Sequence, residues 1–289
     1  MSGFSVEWLA LREPVDAVSR HAELTARLID WRRSRWGERR LSVLDLGSGT
    51  GANCRFLAPR LGGVQHWRLV DHDPALLAHS AALPGSVERQ SLDLAGNFAQ
   101  LDFQDVQLVT ASALIDLVSV EWLKRLARRC QEVQAAVLIA LTYDGTIVWE
   151  PVLDDDATVC QWVNRHQRTD KGFGPALGPQ AAPTLRALLE SLGYQVDLQP
   201  SPWALVPEQA TMQTALLEGW LAAVRELAPD AGTWLEAWAM QRRRLIAQGQ
   251  SRLRVGHWDL FAQSISQPAV KQHILTHAVA ATRGTQAQG

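Results

Sequence analysis

Residues 43–54 read VLDLGSGTGANC, and no other stretch limits the fold as tightly. Val43, Leu44 and Leu46 form a short apolar run of the kind that becomes a buried strand. Glycines at Gly47, Gly49 and Gly51 then let the backbone turn sharply and come close to a ligand. The pattern predicts a strand over 42–46, a glycine loop, and a helix over 52–61 stopped by Gly62 and Gly63. A loop so built is meant to hold something planar or anionic.

The flanking chain extends this unit into a sheet. Strands are predicted over 66–71, 87–94, 106–112 and 135–142, most of them continuous apolar runs separated by helical patterns. Asp73 and Pro74 supply a cap and a first helical position, and 119–129 places Val120, Leu123 and Leu126 on one face. Such an alternation implies a parallel sheet covered on both faces. Ahead of it a helix is expected from Pro14 onward, with Val18, Leu24, Leu28 and Trp31 on one face, ended by the polar break RRSRWGERR at 32–40.

After 142 the pattern changes. A glycine- and charge-rich stretch to about 180 is too long and polar for a simple connector, which marks it as functional or partly mobile. A helix over 183–192, a strand over 194–206 with an irregular centre at Pro200–Pro202, helices over 208–227 and 230–247, and a strand over 252–263 follow. The tail from 266 carries one possible helix and a disordered TRGTQAQG end. The expected units are a helical lid (1–40), a core (41–207) with a loop at 143–180, a helical insertion (208–248), a last core strand (249–265) and the tail (266–289).

Composition narrows the partners. The net charge of -2 over 289 residues gives no global attraction to nucleic acid or anionic lipid. No apolar stretch approaches the length of a membrane span, and the first residues lack a basic-then-apolar leader, so a cytoplasmic location and no membrane partner are expected. Cys54, Cys130 and Cys160 lack metal or disulfide spacing and read as small apolar residues.

GSGTGA also satisfies the dinucleotide fingerprint through Gly47, Gly49 and Ala52, so the glycines alone do not choose a ligand. Asp45 does, because a carboxylate two residues before the first glycine repels a pyrophosphate laid on the helix N-terminus. S-adenosylmethionine has no phosphate but carries an ammonium, a sulfonium and ribose hydroxyls, and suits a carboxylate there.

Leu44-Asp45-Leu46-Gly47-Ser48-Gly49-Thr50-Gly51 resembles the first motif of class I S-adenosylmethionine-dependent methyltransferases. The resemblance covers 42–142 and implies an α/β, Rossmann-like sheet of seven strands with the last antiparallel, for which VGHWDLFA is suited. An N-terminal helical lid and a helical insertion before the last strand complete the expected architecture. The resemblance further implies that Asp45, Gly47, Ser48, Gly49 and Gly51 meet the methionine part of the cofactor. It places Asp71 and the adjacent His72 at the ribose, and Asp93 and Leu94 at the adenine. Asp93 has a plainer reading as the start of a turn, and Asp73 as an N-cap. Ser112 either lines the site or caps a turn, and Arg12 or Arg20 either meets the cofactor carboxylate or is a surface arginine.

Methyl transfer needs alignment and, for some acceptors, a base, so few residues are obligatory. TASALIDL after the fourth strand lacks the N-P-P-Y pattern of base-amine methylating enzymes. Tyr143 and Asp144 at the end of the fifth strand, and His166 as a general base near neutrality, are the acceptor-side candidates. Asp154-Asp155-Asp156 is read as a helix start or solvated turn, and no metal is expected. Trp220, Trp234 and Trp238 are read as core, and Arg242-Arg243-Arg244 as a solvated face. The expected activity is methylation of a small-molecule acceptor at oxygen or nitrogen. A non-catalytic S-adenosylmethionine-binding protein and a nicotinamide-dependent oxidoreductase are the rivals.

Overall fold

The apolar run at 41–46 lies in the middle of an eight-stranded sheet. The computed structural model describes residues 4–80, 83 and 85–265. The tail helix and the 282–289 end lie outside the described residues. The strands are β1 (Leu41–Leu46), β2 (Gln65–Asp71), β3 (Ser86–Ser91), β4 (Leu108–Ser112), β5 (Ala136–Glu150), β6 (Tyr194–Pro200), β7 (Trp203–Leu205) and β8 (Arg252–Ser264). Helices are α1 (Val6–Ser19), α2 (Ala22–Trp36), α3 (Ala52–Leu61), α4 (Pro74–Ala78), α5 (Val120–Val133), α6 (Asp156–His166), α7 (Ala181–Ser191), α8 (Ala210–Leu227) and α9 (Gly232–Ala247).

The strand order is β3-β2-β1-β4-β5-β8-β6, with β7 also paired to β8. The first five strands run parallel, and β8 is antiparallel to β5, β6 and β7. The expected seven strands become eight because the segment 194–206 breaks at Ser201-Pro202 into β6 and β7, both of which pair β8. Proline donates nothing to a ladder, so the break falls there. Leu44 and Leu46 point into a core shared with α5 and α7, while Leu41 and Val43 point into one shared with α2 and α3. Two-sided burial is why β1 reads as an unbroken apolar run.

Three expectations are corrected. Pro14 does not open the first helix: Ser5 accepts from Trp8 N and starts α1 earlier, so Pro14 falls inside it and Val18 is 83% exposed. The chain breaks at Arg20 and α2 follows, giving two helices where one was expected. The 143–180 stretch is not mostly loop, because β8 pairs β5 out to Glu150 and α6 then fills 156–166. That pairing joins residues about a hundred positions apart, which local pattern does not encode.

Arg242 is likewise not on a solvated face. It is fully buried, with Nε and Nη2 donating to the Asp156 carboxylate and Nη1 donating to Pro151 O at 2.8 Å. Its guanidinium lies 4.9 Å from the centre of the Trp149 ring, and Trp238 Nε1 also donates to Asp156 at 2.8 Å. Burying a charge is tolerable only with this degree of pairing. The last of the three aspartates therefore fastens α9 to the α6 start.

Asp259 on β8 holds the strand ends together. Its Oδ1 accepts from Leu141 N at 2.8 Å and Ser201 Oγ at 2.7 Å, and its Oδ2 accepts from His21 N at 2.9 Å, with Arg20 Nε 3.7 Å away. Leu141 has φ +53 at the bulge in β5, a strained setting for a side chain that this bond secures. Asp259→Ala should lower stability by about 3–5 kcal/mol in urea unfolding, since a buried cation and three donors lose their acceptor. A loss under about 1 kcal/mol would show that these contacts are incidental.

Candidate functional site

The glycine loop leaves β1 and is tied to β2. Ser48 N donates to Val70 O at 3.1 Å, Gly49 N to Asp71 Oδ2 at 2.8 Å, and Gly51 N to Ser48 O at 2.8 Å. Gly49 has φ +52, and a Cβ there would sit 3.1 Å from Leu9 Cδ1, so α1 rests on the loop. The turn thus needs glycine for its conformation and for the approach of α1.

Asp45, the penultimate residue of β1, is completely buried. Its Oδ1 accepts from Asn53 Nδ2 at 2.8 Å, and its Oδ2 has no partner in the protein. Asn53, on the first turn of α3, also donates to Thr110 Oγ1 at 3.0 Å and accepts from Arg20 Nη1 at 3.0 Å. Arg20 is buried between this asparagine and the Phe56 ring, whose centre is 4.8 Å from its guanidinium carbon. Burial lifts the Asp45 carboxyl to about 7, although the Asn53 bond and the Arg20 charge pull the other way. Burial lowers Arg20 in turn.

A cavity lies between the loop, α1 and α3. Asp45, Ser48, Asn53, Arg20, Arg12 and Ser112 are among its walls, with the other loop residues Gly47 and Gly49. The Ser48 hydroxyl, like Asp45 Oδ2, is buried without a partner. An open carboxylate oxygen and an open hydroxyl beside one cavity are unmet hydrogen-bonding capacity, which native interiors rarely leave.

Asp71 ends β2 behind the loop. Its side chain is 8% exposed, accepts from Gly49 N and from Asp73 N at 3.0 Å, and has His72 Nδ1 3.3 Å away, His72 being largely exposed. Asp93 is exposed and accepts from Ala95 N at 2.9 Å and Gly96 N at 3.2 Å, the turn role considered for it. Leu94 is buried, and its carbonyl accepts from Trp122 Nε1 at 2.8 Å. Gly51, Asp71, His72, Asp93 and Leu94 are not among the cavity walls. Asp73 caps α4 through Ala75 N.

Of the three acceptor-side candidates, Tyr143 and Asp144 are neighbours in β5, whereas His166 belongs to α6. His166 ends α6, where its ring meets Glu226 Oε2 at 3.0 Å and Lys171 Nζ at 3.3 Å. Asp144 accepts from Thr146 N at 2.7 Å and lies against Gly256. Tyr143 is buried, and its hydroxyl has no hydrogen-bond partner, the Cys160 thiol being its polar neighbour. None of the three walls the cavity.

Residues that the sequence did not assign to the acceptor side lie around Tyr143. His257 is its register partner on β8, with ring centres 6.3 Å apart, and Trp203 packs on His257 at 4.6 Å. Arg12 lies over Trp203 at 5.2 Å and pairs with Asp16, which also accepts from Trp203 Nε1 at 3.0 Å. Asp116, just past β4, is buried with Oδ1 unpartnered, and burial raises it to about 6 while Arg12 lowers it. His257 Nδ1 is also unpartnered, and burial, then Arg12, press its imidazole to about 3. The one sequence signal for Asp116 was an acid in an apolar run, ALIDLV, immediately after a predicted strand.

No protein-family model and no curated protein matches the chain. Solved structures do. A cyclopropane synthase from Mycobacterium tuberculosis is 13% identical over 90% of this chain and 95% of its own, with a TM-score of 0.48. A cyclopropane-fatty-acyl-phospholipid synthase-like protein from Lactobacillus casei is 14% identical over 86% and 98%, also at 0.48. An S-adenosylmethionine-dependent methyltransferase from Thiobacillus denitrificans, in complex with S-adenosyl-L-homocysteine, is 16% identical over 90% and 98%, at 0.43. Five parallel strands, β8 antiparallel between β5 and β6, and helices on both faces give this chain the Rossmann-like class I methyltransferase fold.

The pH response of Asp45 is testable. Its folded carboxyl keeps a proton up to about pH 7, whereas the unfolded one releases it near 3.9, about the unperturbed value. The unfolded state therefore ionises first, and the stability due to this group is complete at low pH and declines as pH rises from about 4 to about 7. Asp45→Asn should be more thermostable than the parent by a margin that grows between about pH 5 and 8, reaching several degrees. A margin independent of pH would contradict the buried-charge assignment.

Proposed function

We propose that the chain is an S-adenosylmethionine-dependent methyltransferase acting on a small-molecule acceptor. One observation carries the reading: the unpartnered Asp45 Oδ2 beside the glycine-loop cavity. A diphosphate placed on this loop would meet that carboxylate as a like charge, while an ammonium would meet it as an opposite one.

The residues at the cavity would hold the methionine part of the cofactor, and those beyond it the nucleoside. Asp45 Oδ2 and the Ser48 hydroxyl would take its amino group, and the Arg20 guanidinium, fixed by Asn53 and Phe56, would face its carboxylate. Each Asp71 oxygen accepts one backbone N–H and keeps a lone pair for a ribose hydroxyl. His72, Asp93 and Leu94 would flank the rest of the nucleoside. Gly47, Gly49 and Gly51 let the loop approach, and Ser112 closes the cavity at the end of β4. The bound donor supplies a methyl group on a sulfonium. The protein's part is to align the acceptor in line with it and to keep water out. α1 does the second of these by lying over the loop.

On the acceptor side the weight falls on Tyr143, whose hydroxyl is free, with Asp144 beside it. His166, held by Glu226 and Lys171, would be the general base.

Isothermal titration with S-adenosylhomocysteine should show binding to the parent protein. Gly49→Val should abolish it, because the loop needs φ +52 and the added atoms meet Leu9. Asp71→Ala should weaken it at least tenfold, about 1.4 kcal/mol. Unchanged affinity in both variants, or tight binding of NADH with none of S-adenosylhomocysteine, would refute the site.

A further inference from the structure

Beyond the cofactor cavity the structure leaves a second set of polar atoms unsatisfied. Asp116 Oδ1, the Tyr143 hydroxyl and His257 Nδ1 are each without a hydrogen-bond partner. The three residues are 7%, 7% and 5% exposed, so solvent does not compensate. They come from different parts of the fold: the turn after β4, the bulged end of β5 and the middle of β8. Arg12 connects the groups, since it lines the cofactor cavity and its charge acts on both Asp116 and His257. Leaving three such groups unmet is costly unless a ligand completes them.

The charges indicate which ligand. Arg12 donates through Nε at 2.8 Å and Nη2 at 3.3 Å to Asp16, so this pair is neutral. His257 is held uncharged by burial. Arg12, Asp16 and Asp116 together therefore carry one net negative charge, beside the aromatic rings of Tyr143, His257 and Trp203. A carboxylate or phosphate ligand would be repelled by Asp116 and would find the only cation named there already paired. An ammonium matches it, because the carboxylate offers a charge-assisted bond and the ring faces favour a cation.

We infer that Asp116, Tyr143 and His257 form the acceptor subsite, and that the acceptor is a small organic amine whose ammonium is recognised by Asp116. The ammonium gives a proton to the Asp116 carboxylate, the freed nitrogen lone pair takes the methyl group, and the sulfonium leaves as a neutral thioether. This rests on the methyltransferase reading, which makes the region past the ends of β4 and β5 the acceptor side. Asp116 supplies the counter-charge. Tyr143 and His257 take the remaining polar groups of the amine or its skeleton.

The experiment is a thermal-shift and calorimetric series on the full chain, with and without S-adenosylhomocysteine. The probes are benzylamine, phenethylamine and putrescine, each set against the alcohol and the carboxylate of the same skeleton. At least one amine should stabilise the protein while its alcohol and carboxylate do not. Asp116→Asn should weaken that amine tenfold or more, and Tyr143→Phe, which keeps the ring, should weaken it by a smaller factor. The inference is overturned if no amine binds, if a carboxylate or alcohol binds as well as its amine, or if both variants retain parental affinity for the amine. S-adenosylhomocysteine added alone scores the cofactor reading separately, so its failure to bind is distinguishable from failure of the amine series.

Discussion

A carboxylate with no solvent exposure and only one satisfied oxygen sets the terms for the rest of this molecule. Ionised Asp45 is costly in a low-dielectric setting, and the chain responds by ordering neighbours around it. Asn53 bridges it to Thr110 on β4 and to Arg20 at the end of α1. Those bonds fix the first turn of α3, the exit of β1 and the junction of the two N-terminal helices. The remaining oxygen has no partner in the protein, and the proposed function gives it one.

The antiparallel strand joins this arrangement to the residues around Tyr143. Inserted between β5 and β6, β8 brings Asp259 to the β5 bulge and to the start of α2, with Arg20 close by. Two residues earlier, His257 faces Tyr143. One strand therefore buttresses Arg20 at the glycine-loop cavity and also supplies the residue that faces Tyr143. Arg12 and Asp16 on α1 stand between the two, stacked on Trp203 of β7. The helix that covers the glycine loop is thus also packed, through Trp203, toward His257 and Tyr143.

The parts readable from sequence were those governed by local rules. An apolar run followed by alternating glycines, and Asp73-Pro74 before a helix, each express their structure within a few residues. The parts that were not readable depend on partners remote in the chain. Arg242 looks like one member of a basic surface run until Asp156 and Trp149 are brought to it. The β5 extension needs β8, and Pro14 reads as a helix start because the Ser5 cap is a weaker signal. Asn53 carries no pattern that distinguishes it from any polar residue on a short helix. Asp116 was visible only as a charge among apolar neighbours, a feature that acquires meaning once Tyr143 and Arg12 are brought near it. For Asp93 the turn geometry matches the plainer of its two readings, while its place at the nucleoside remains part of the proposal.

The most direct test of the account is a crystal structure of the protein grown with S-adenosylhomocysteine. The account predicts its amino nitrogen within hydrogen-bond distance of Asp45 Oδ2, and its ribose hydroxyls on Asp71. Density for the molecule elsewhere, or an Asp45 whose second oxygen still lacks a partner with the ligand bound, would contradict it.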